Sequence, residues 1–193
     1  MISGGRSRAI DYLVQRHFGL ALLLTFCMSP LQSATLERLS LDDMVAKSTA
    51  IARGTVIGSH VLVQGPIIYT RYTIQVTERF KGNLSAAVDV VVPGGAANNL
   101  RQTFAGAPQF NIGDDYVFFL WTGKSGLTQI IGLTQGLFAI SGPSSSPTAT
   151  RLASKELMLD HGTGQQVKDQ TLVMSLSDLR SHIAGVLGGN GTH

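Results

Sequence analysis

Residues 51–93 carry three runs of alternating or β-branched apolar residues separated by short turn signals, and that pattern dictates a β-rich chain. The sharpest run is RYTIQVTERF (71–80), where Tyr72, Ile74 and Val76 fall on one face and Arg71, Thr73, Gln75 and Thr77 on the other. Successive strand side chains point to opposite faces, so this period of two predicts a strand with one face buried. Ahead of it, IARGTVIGSHVLVQ (51–64) is interrupted by Gly54 and Gly58, a signal of bulges or bends. Gly65-Pro66 marks the turn between these runs, and Lys81-Gly82-Asn83 the turn before a third run, AVDVVVP (87–93). DYVFFLW (115–121) is apolar on both parities, which predicts a central strand covered on both faces. LTQIIGL (127–133) and GLFAISG (136–142) read as two more short strands.

Two helices frame the strands. In SLDDMVAKSTA (40–50), Ser40 is placed to cap and Asp42 and Asp43 fall in the first turn, where the helix dipole favours negative charge. In SLSDLRSHIAGVL (175–187), Leu176, Leu179, Ile183, Val186 and Leu187 recur at helical spacing. Ser175 or Ser177 caps this helix, Gly188-Gly189 end it, and GGNGTH reads as a frayed tail. Between strands and tail, SGPSSSPTATR (141–151) reads as a Pro/Ser-rich connector. The 21 residues GGAANNLRQTFAGAPQFNIGD (94–114) show no clear period and read as a long loop, a kind of segment that is often functional.

The first 34 residues have the three parts of an export signal. Arg6, Arg8 and Arg16 form a basic leader, FGLALLLTFCM (18–28) an apolar run, and SPLQSA (29–34) an exit of small residues. Eleven apolar residues cover only about half of a bilayer core, so the run is too short to span. Cleavage after Ala34 is expected. It divides the chain into a signal peptide (1–34), a β-barrel domain with its leading helix (35–142), and a connector, helix and tail (143–193). The expected location is secreted or periplasmic, with no transmembrane segment after cleavage.

Cys27, in the leader, is the only cysteine. A mature chain without cysteine excludes disulfides, cysteine nucleophiles and thiolate metal sites together. The leader also takes three of the 15 basic and one of the 12 acidic residues, leaving +1 rather than +3. No basic run remains, so nucleic acid and anionic membrane are not expected partners.

Short strands in succession, an early strand bent at glycines and a break before a final hairpin predict an all-β fold built on a small barrel. Arg53-Gly54-Thr55-Val56, Phe80-Lys81-Gly82 and Gly113-Asp114-Asp115-Tyr116-Val117 give the stretch Ala50 to Leu120 its family likeness. It resembles the netrin-like module shared with tissue inhibitors of metalloproteases, an oligonucleotide/oligosaccharide-binding (OB) barrel. The resemblance implies an OB-like barrel and a habit of binding other proteins. Those inhibitors chelate a protease zinc through an amino-terminal cysteine. This chain has none there, so that mechanism does not carry over.

No catalytic constellation is visible. His60, His161 and His182 show no HxH or HExxH spacing, and no serine sits in Gly-x-Ser-x-Gly. Asp160-His161-Gly162 reads as a polar loop, His182 as solvated, and Asp114-Asp115 as the turn that launches the central strand. VPGGAANN lacks the ending of a phosphate loop. By strict alternation Glu78 would share the inner face with Val76 and Phe80, but a strand end or bulge that turns it to water is expected there. The expected barrel lining is Tyr72, Ile74, Val76 and Phe80 with Val90, Val92, Phe118, Leu120 and Ile130.

The sequence therefore points to an exported, non-enzymatic binding module without a cofactor or metal. Its expected partner is a protein, a protease among the candidates, or a cell-envelope component. The long loop reads either as a disordered connection or flap over the barrel end or as a recognition loop, and in the second case Asn98, Asn99, Arg101, Gln102, Phe104 and Phe110 supply the contacts. Two alternatives are a hydrolase using the dispersed groups Glu78, Asp114 and His161, and a structural component of the cell surface.

Overall fold

A computed structural model describes residues 35–189; the expected leader and the last four residues lie outside them. The fold is mostly β, with two helices, as expected. The strands are β1 (Thr35–Glu37), β2 (Ala50–Gln64), β3 (Ile67–Lys81), β4 (Ala87–Pro93), β5 (Gly95–Ala97), β6 (Leu100–Gln102) and β7 (Asp115–Thr122). They continue as β8 (Thr128–Ile130), β9 (Leu137–Ser141), β10 (Thr148–Arg151), β11 (Leu157–Leu159), β12 (Gln166–Val167) and β13 (Leu172–Ser175). The helices are α1 (Leu41–Lys47) and α2 (Leu176–Gly189).

The main sheet is antiparallel throughout, in the order β13-β10-β9-β7-β2-β3-β4, with β8 also pairing β7. β9 and β8 share one edge of β7, at Tyr116–Phe118 and Leu120–Thr122. Between them Phe119 bonds to Gly136 and Ile131, so the partner strand breaks and turns there. Its far piece, β8, comes to lie beside β4. The ladder's ends, β13 and β4, do not pair with each other. A side sheet sets β1 parallel to β11, with β12 antiparallel on β11's other edge.

Two cores lie on opposite faces. Val117 and Phe119 pack with Met44, Val45, Phe138, Leu176, Leu179 and Ile183, under the helices. Phe118 and Leu120 pack with Val56, Tyr72, Ile74, Val90, Val92 and Ile130, inside the curl of β2–β4, β7 and β8. The central strand is covered on both faces, as its sequence demanded. The expected lining is met except at Phe80, which packs with the helix-side core, and Val76, which is only half-buried. The reason is a register shift: Gly54 pairs Val76 but Arg53 pairs Glu78, so Thr77 is an extra residue and the faces exchange beyond it.

Capping follows the sequence. The Ser40 side chain accepts from Asp43 N, Asp43 accepts in return from Ser40 N, and the box closes α1's first turn. At its other end Lys81 Nζ donates to Val45 O and Ala46 O at 2.7 and 2.9 Å, and burial pulls this ammonium's pKa below its ordinary value. Ser175 Oγ accepts from Asp178 N at the start of α2, which runs on through Gly188 and Gly189 rather than stopping before them.

Three stretches differ from expectation. The connector contributes Thr148–Arg151 to the main sheet as β10, because Ala149 is fully buried in the helix-side core. LTQIIGL ends its strand at Ile130, since Gly132 and Leu133 take positive φ of 59° and 58°. The long loop holds a small hairpin, β5-β6.

Candidate functional site

That hairpin builds a pocket of about 290 Å³ at the end of β3 and β4. Past Pro93 the chain turns through Gly94 and Gly95, at φ 112° and 145°. A Cβ on Gly95 would sit 3.1 Å from both Ile68 Cγ2 and Thr70 Oγ1, so glycine lets the backbone lie close against β3. Gly94 N donates to Ile68 O, and Thr70 Oγ1 donates to Gly94 O, both at 2.8 Å.

Asn98 and Asn99 form the hairpin's two-residue turn between the paired Ala97 and Leu100. Their φ values, 51° and 62°, are the two positive angles of a type I′ turn, which asparagine tolerates better than most residues. Gln102 then ties the hairpin down. Its Oε1 accepts from Ile68 N at 2.7 Å and its Nε2 donates to Pro66 O at 2.8 Å. The amide acts as one more peptide unit beyond the end of β4.

Phe110 lies under the site, edge-on to Tyr72, Tyr116 and Phe118 at centroid distances of 4.9, 5.3 and 5.8 Å. Burial pushes the Tyr116 phenol's pKa up. Arg101 and Phe104 line the pocket. Phe104 is 41% exposed, and Arg101 is exposed as well. Arg101 is the pocket's one charged lining residue, and its guanidinium has no ion-pair or hydrogen-bond partner among the described residues. The six expected contact residues thus divide by position. Asn98, Asn99, Arg101 and Phe104 face solvent, whereas the amide of Gln102 and the ring of Phe110 have partners within the fold.

The dispersed acid and base candidates do not assemble. Glu78, turned to the helix side by the Thr77 bulge, takes Arg180 at 2.7 and 3.0 Å. Asp114 accepts from Asn111 N at 2.8 Å. His161 Nδ1 lies 2.9 Å from Glu37 Oε1, which also takes Lys47. Asp160 is the turn-maker beside it, accepting from Gly162 N, Thr163 N and Thr163 Oγ1, and the Thr163 bonds hold its carboxyl below the usual range. His182 is exposed, as expected, and its Nε2 lies 2.6 Å from Oδ1 of Asp42, likewise exposed, on α1. No group of three or more metal-ligating side chains occurs among the described residues.

Sequence reading missed a charge row across the helix-side face. Asp115 accepts from Arg53 Nε and Nη2 at 3.0 and 2.6 Å, Glu78 is paired across from Arg53, and Arg180 closes the row. The bond to Asp115 raises Arg53's pKa. These charges alternate in sign and cancel. Arg53 and Arg180 also line a hollow of about 310 Å³ with serines 144–146, but both guanidiniums are already taken by the row's carboxylates. Arg53 and Asp115 stand 62 positions apart in separate motifs, and nothing in the sequence joins them.

No helix among the described residues is long and apolar enough to cross a membrane. No family model and no curated protein matches the chain.

Proposed function

We propose that the chain is an exported, non-enzymatic binding module whose contact surface is the rim of the hairpin pocket. The observation that carries this reading is that an unpartnered guanidinium, Arg101, and a half-exposed ring, Phe104, line the same pocket. Arg and aromatic anchors supply most of the energy of protein interfaces. An Arg left without a carboxylate in its own fold keeps its donors for a partner. Asn98 and Asn99 extend the rim at the hairpin tip.

The curl of β2–β4, β7 and β8 around the second core is read as an OB-like barrel of netrin-like type. β8 beside β4 supports that reading. The partner is a protein or a cell-envelope component that offers an acidic group to Arg101 and an apolar one to Phe104.

The test places a photo-crosslinking phenylalanine analogue at position 104 and activates it in the native envelope or medium. One discrete adduct is expected, and Arg101→Ala should abolish it. An adduct indifferent to Arg101, or none, overturns the site. Mass analysis of the exported protein should find Ala34 or Thr35 at its amino terminus; an intact Met1 there overturns the export reading.

A further inference from the structure

The two outer edges of the long β2-β3 hairpin are treated differently. β3's outer edge is paired from Ile68 to Val76: β4 pairs Tyr69 to Gln75, and Val76 N bonds to Ala86 O. Beyond β4's end, Gly94 N and the Gln102 side chain take Ile68's carbonyl and amide. β2's outer edge pairs with β7 only from Ala50 to Thr55, and Val56 bonds to Asp114 O and Gly113 N. From Gly58 to Gln64 that edge has no backbone partner among the described residues.

This open stretch is about 23 Å long at roughly 3.3 Å per residue. Edges are ordinarily protected by Lys, by Pro or by inward charge. GSHVLVQ (58–64) contains no Pro, Lys, Arg, Asp or Glu. The shift between Val56 and Gly58 disturbs only its start. Val61 and Val63 stay 45% and 49% exposed, on the face they share with Thr70 and Ile68.

We propose that Gly58–Gln64 is a dimerisation edge, which pairs antiparallel with the same edge of a second copy and joins two sheets into one. A second copy is the occupant the edge chemistry fits. A two-fold axis perpendicular to the sheet sets residues of equal parity opposite each other, so like faces meet. With the axis at Val61, that residue covers its own copy and each Val63 lies across from Ser59 of the other. An edge without fixed charge sets no like charges opposite. The edge uses neither Arg101 nor Phe104 of the pocket rim, although Val61 lies across from the pocket-lining Thr70.

Sedimentation equilibrium of the full chain from low micromolar to near-millimolar concentration tests it, beside Val61→Lys/Val63→Lys. A reversible dimer is expected, weakened by about tenfold or more in the double variant, since like charges would then face each other. Hydrogen exchange of the unaltered protein gives a second reading that needs no variant: amides in 58–64 should gain protection as concentration rises. A monomer at every concentration overturns the proposal. So does a dimer that ignores the lysines, or protection confined to other segments.

Discussion

Arg180 on α2 grips Glu78 on β3 with two parallel hydrogen bonds, 2.7 and 3.0 Å long, across 102 positions of sequence. The contact exists because one extra residue, Thr77, rotates Glu78 from the curl's interior to the face beneath the helix. It joins the C-terminal helix to the charge row that continues through Arg53 to Asp115.

A double-mutant cycle on Glu78→Ala and Arg180→Ala should give a coupling of only about 0.5–1 kcal/mol, because exposed ion pairs are screened. The two side chains are 32% and 48% exposed. Urea unfolding of the four proteins measures it, and the coupling should shrink in high salt.

The Arg151–Asp169 pair is of another kind, with both side chains under 5% exposed. Asp169→Asn should cost about 3–5 kcal/mol, the usual result of stranding one buried charge. Burial opposes ionisation of Asp169, but hydrogen bonds from Ser154 N, Arg151 and Gln170 N outweigh it and hold the carboxyl below its ordinary value. A pKa lower in the folded than in the unfolded chain stabilises the fold above about pH 4, and that contribution fades as pH falls toward the folded value. The urea midpoint of the unaltered protein should therefore fall more steeply below about pH 4 than that of Asp169→Asn.

Gln102→Ala leaves Ile68 N and Pro66 O without their partners and should cost about 1–3 kcal/mol. Hydrogen exchange should show the Ile68 amide losing protection first. Gln102→Glu should not rescue it, because a carboxylate cannot donate to Pro66 O.

Phe118→Ala should destabilise by about 3–5 kcal/mol, since the ring is 1% exposed in the inner core. Val76→Ala should cost less, being half-buried, and Thr77→Ala within about 0.5 kcal/mol, as an exposed residue. Thermal or urea melts that rank Thr77 with Phe118 would contradict the bulge.

Strand identity was legible where a single period dominated: RYTIQVTERF, AVDVVVP and DYVFFLW all lie in strands. What periodicity could not carry was a change of phase. Nothing in T-E-R-F locates the bulge at Thr77, so Phe80 was assigned to the wrong face, although a bulge turning Glu78 out was the expected reading there. The hairpin in the long loop escaped for a related reason. Three-residue strands are too short to show a period, and Asn98-Asn99 is a weaker turn signal than Asn-Gly. Arg101 and Phe104 were singled out from residue type. Gln102 and Phe110 were grouped with them because type alone does not reveal whether an amide or a ring already has partners.

The parallel pairing of Thr35–Glu37 with Leu157–Leu159, held further by the buried amide of Gln135 on Glu37 O and Leu39 N, has a consequence in time. During synthesis the first strand waits for a partner more than a hundred residues downstream, and the helix-side core waits for Leu176, Leu179 and Ile183. Contacts of such long sequence separation form slowly and late. A growing chain therefore stays unfinished until its last helix emerges, and truncation before Leu176 yields a sheet with one core bare.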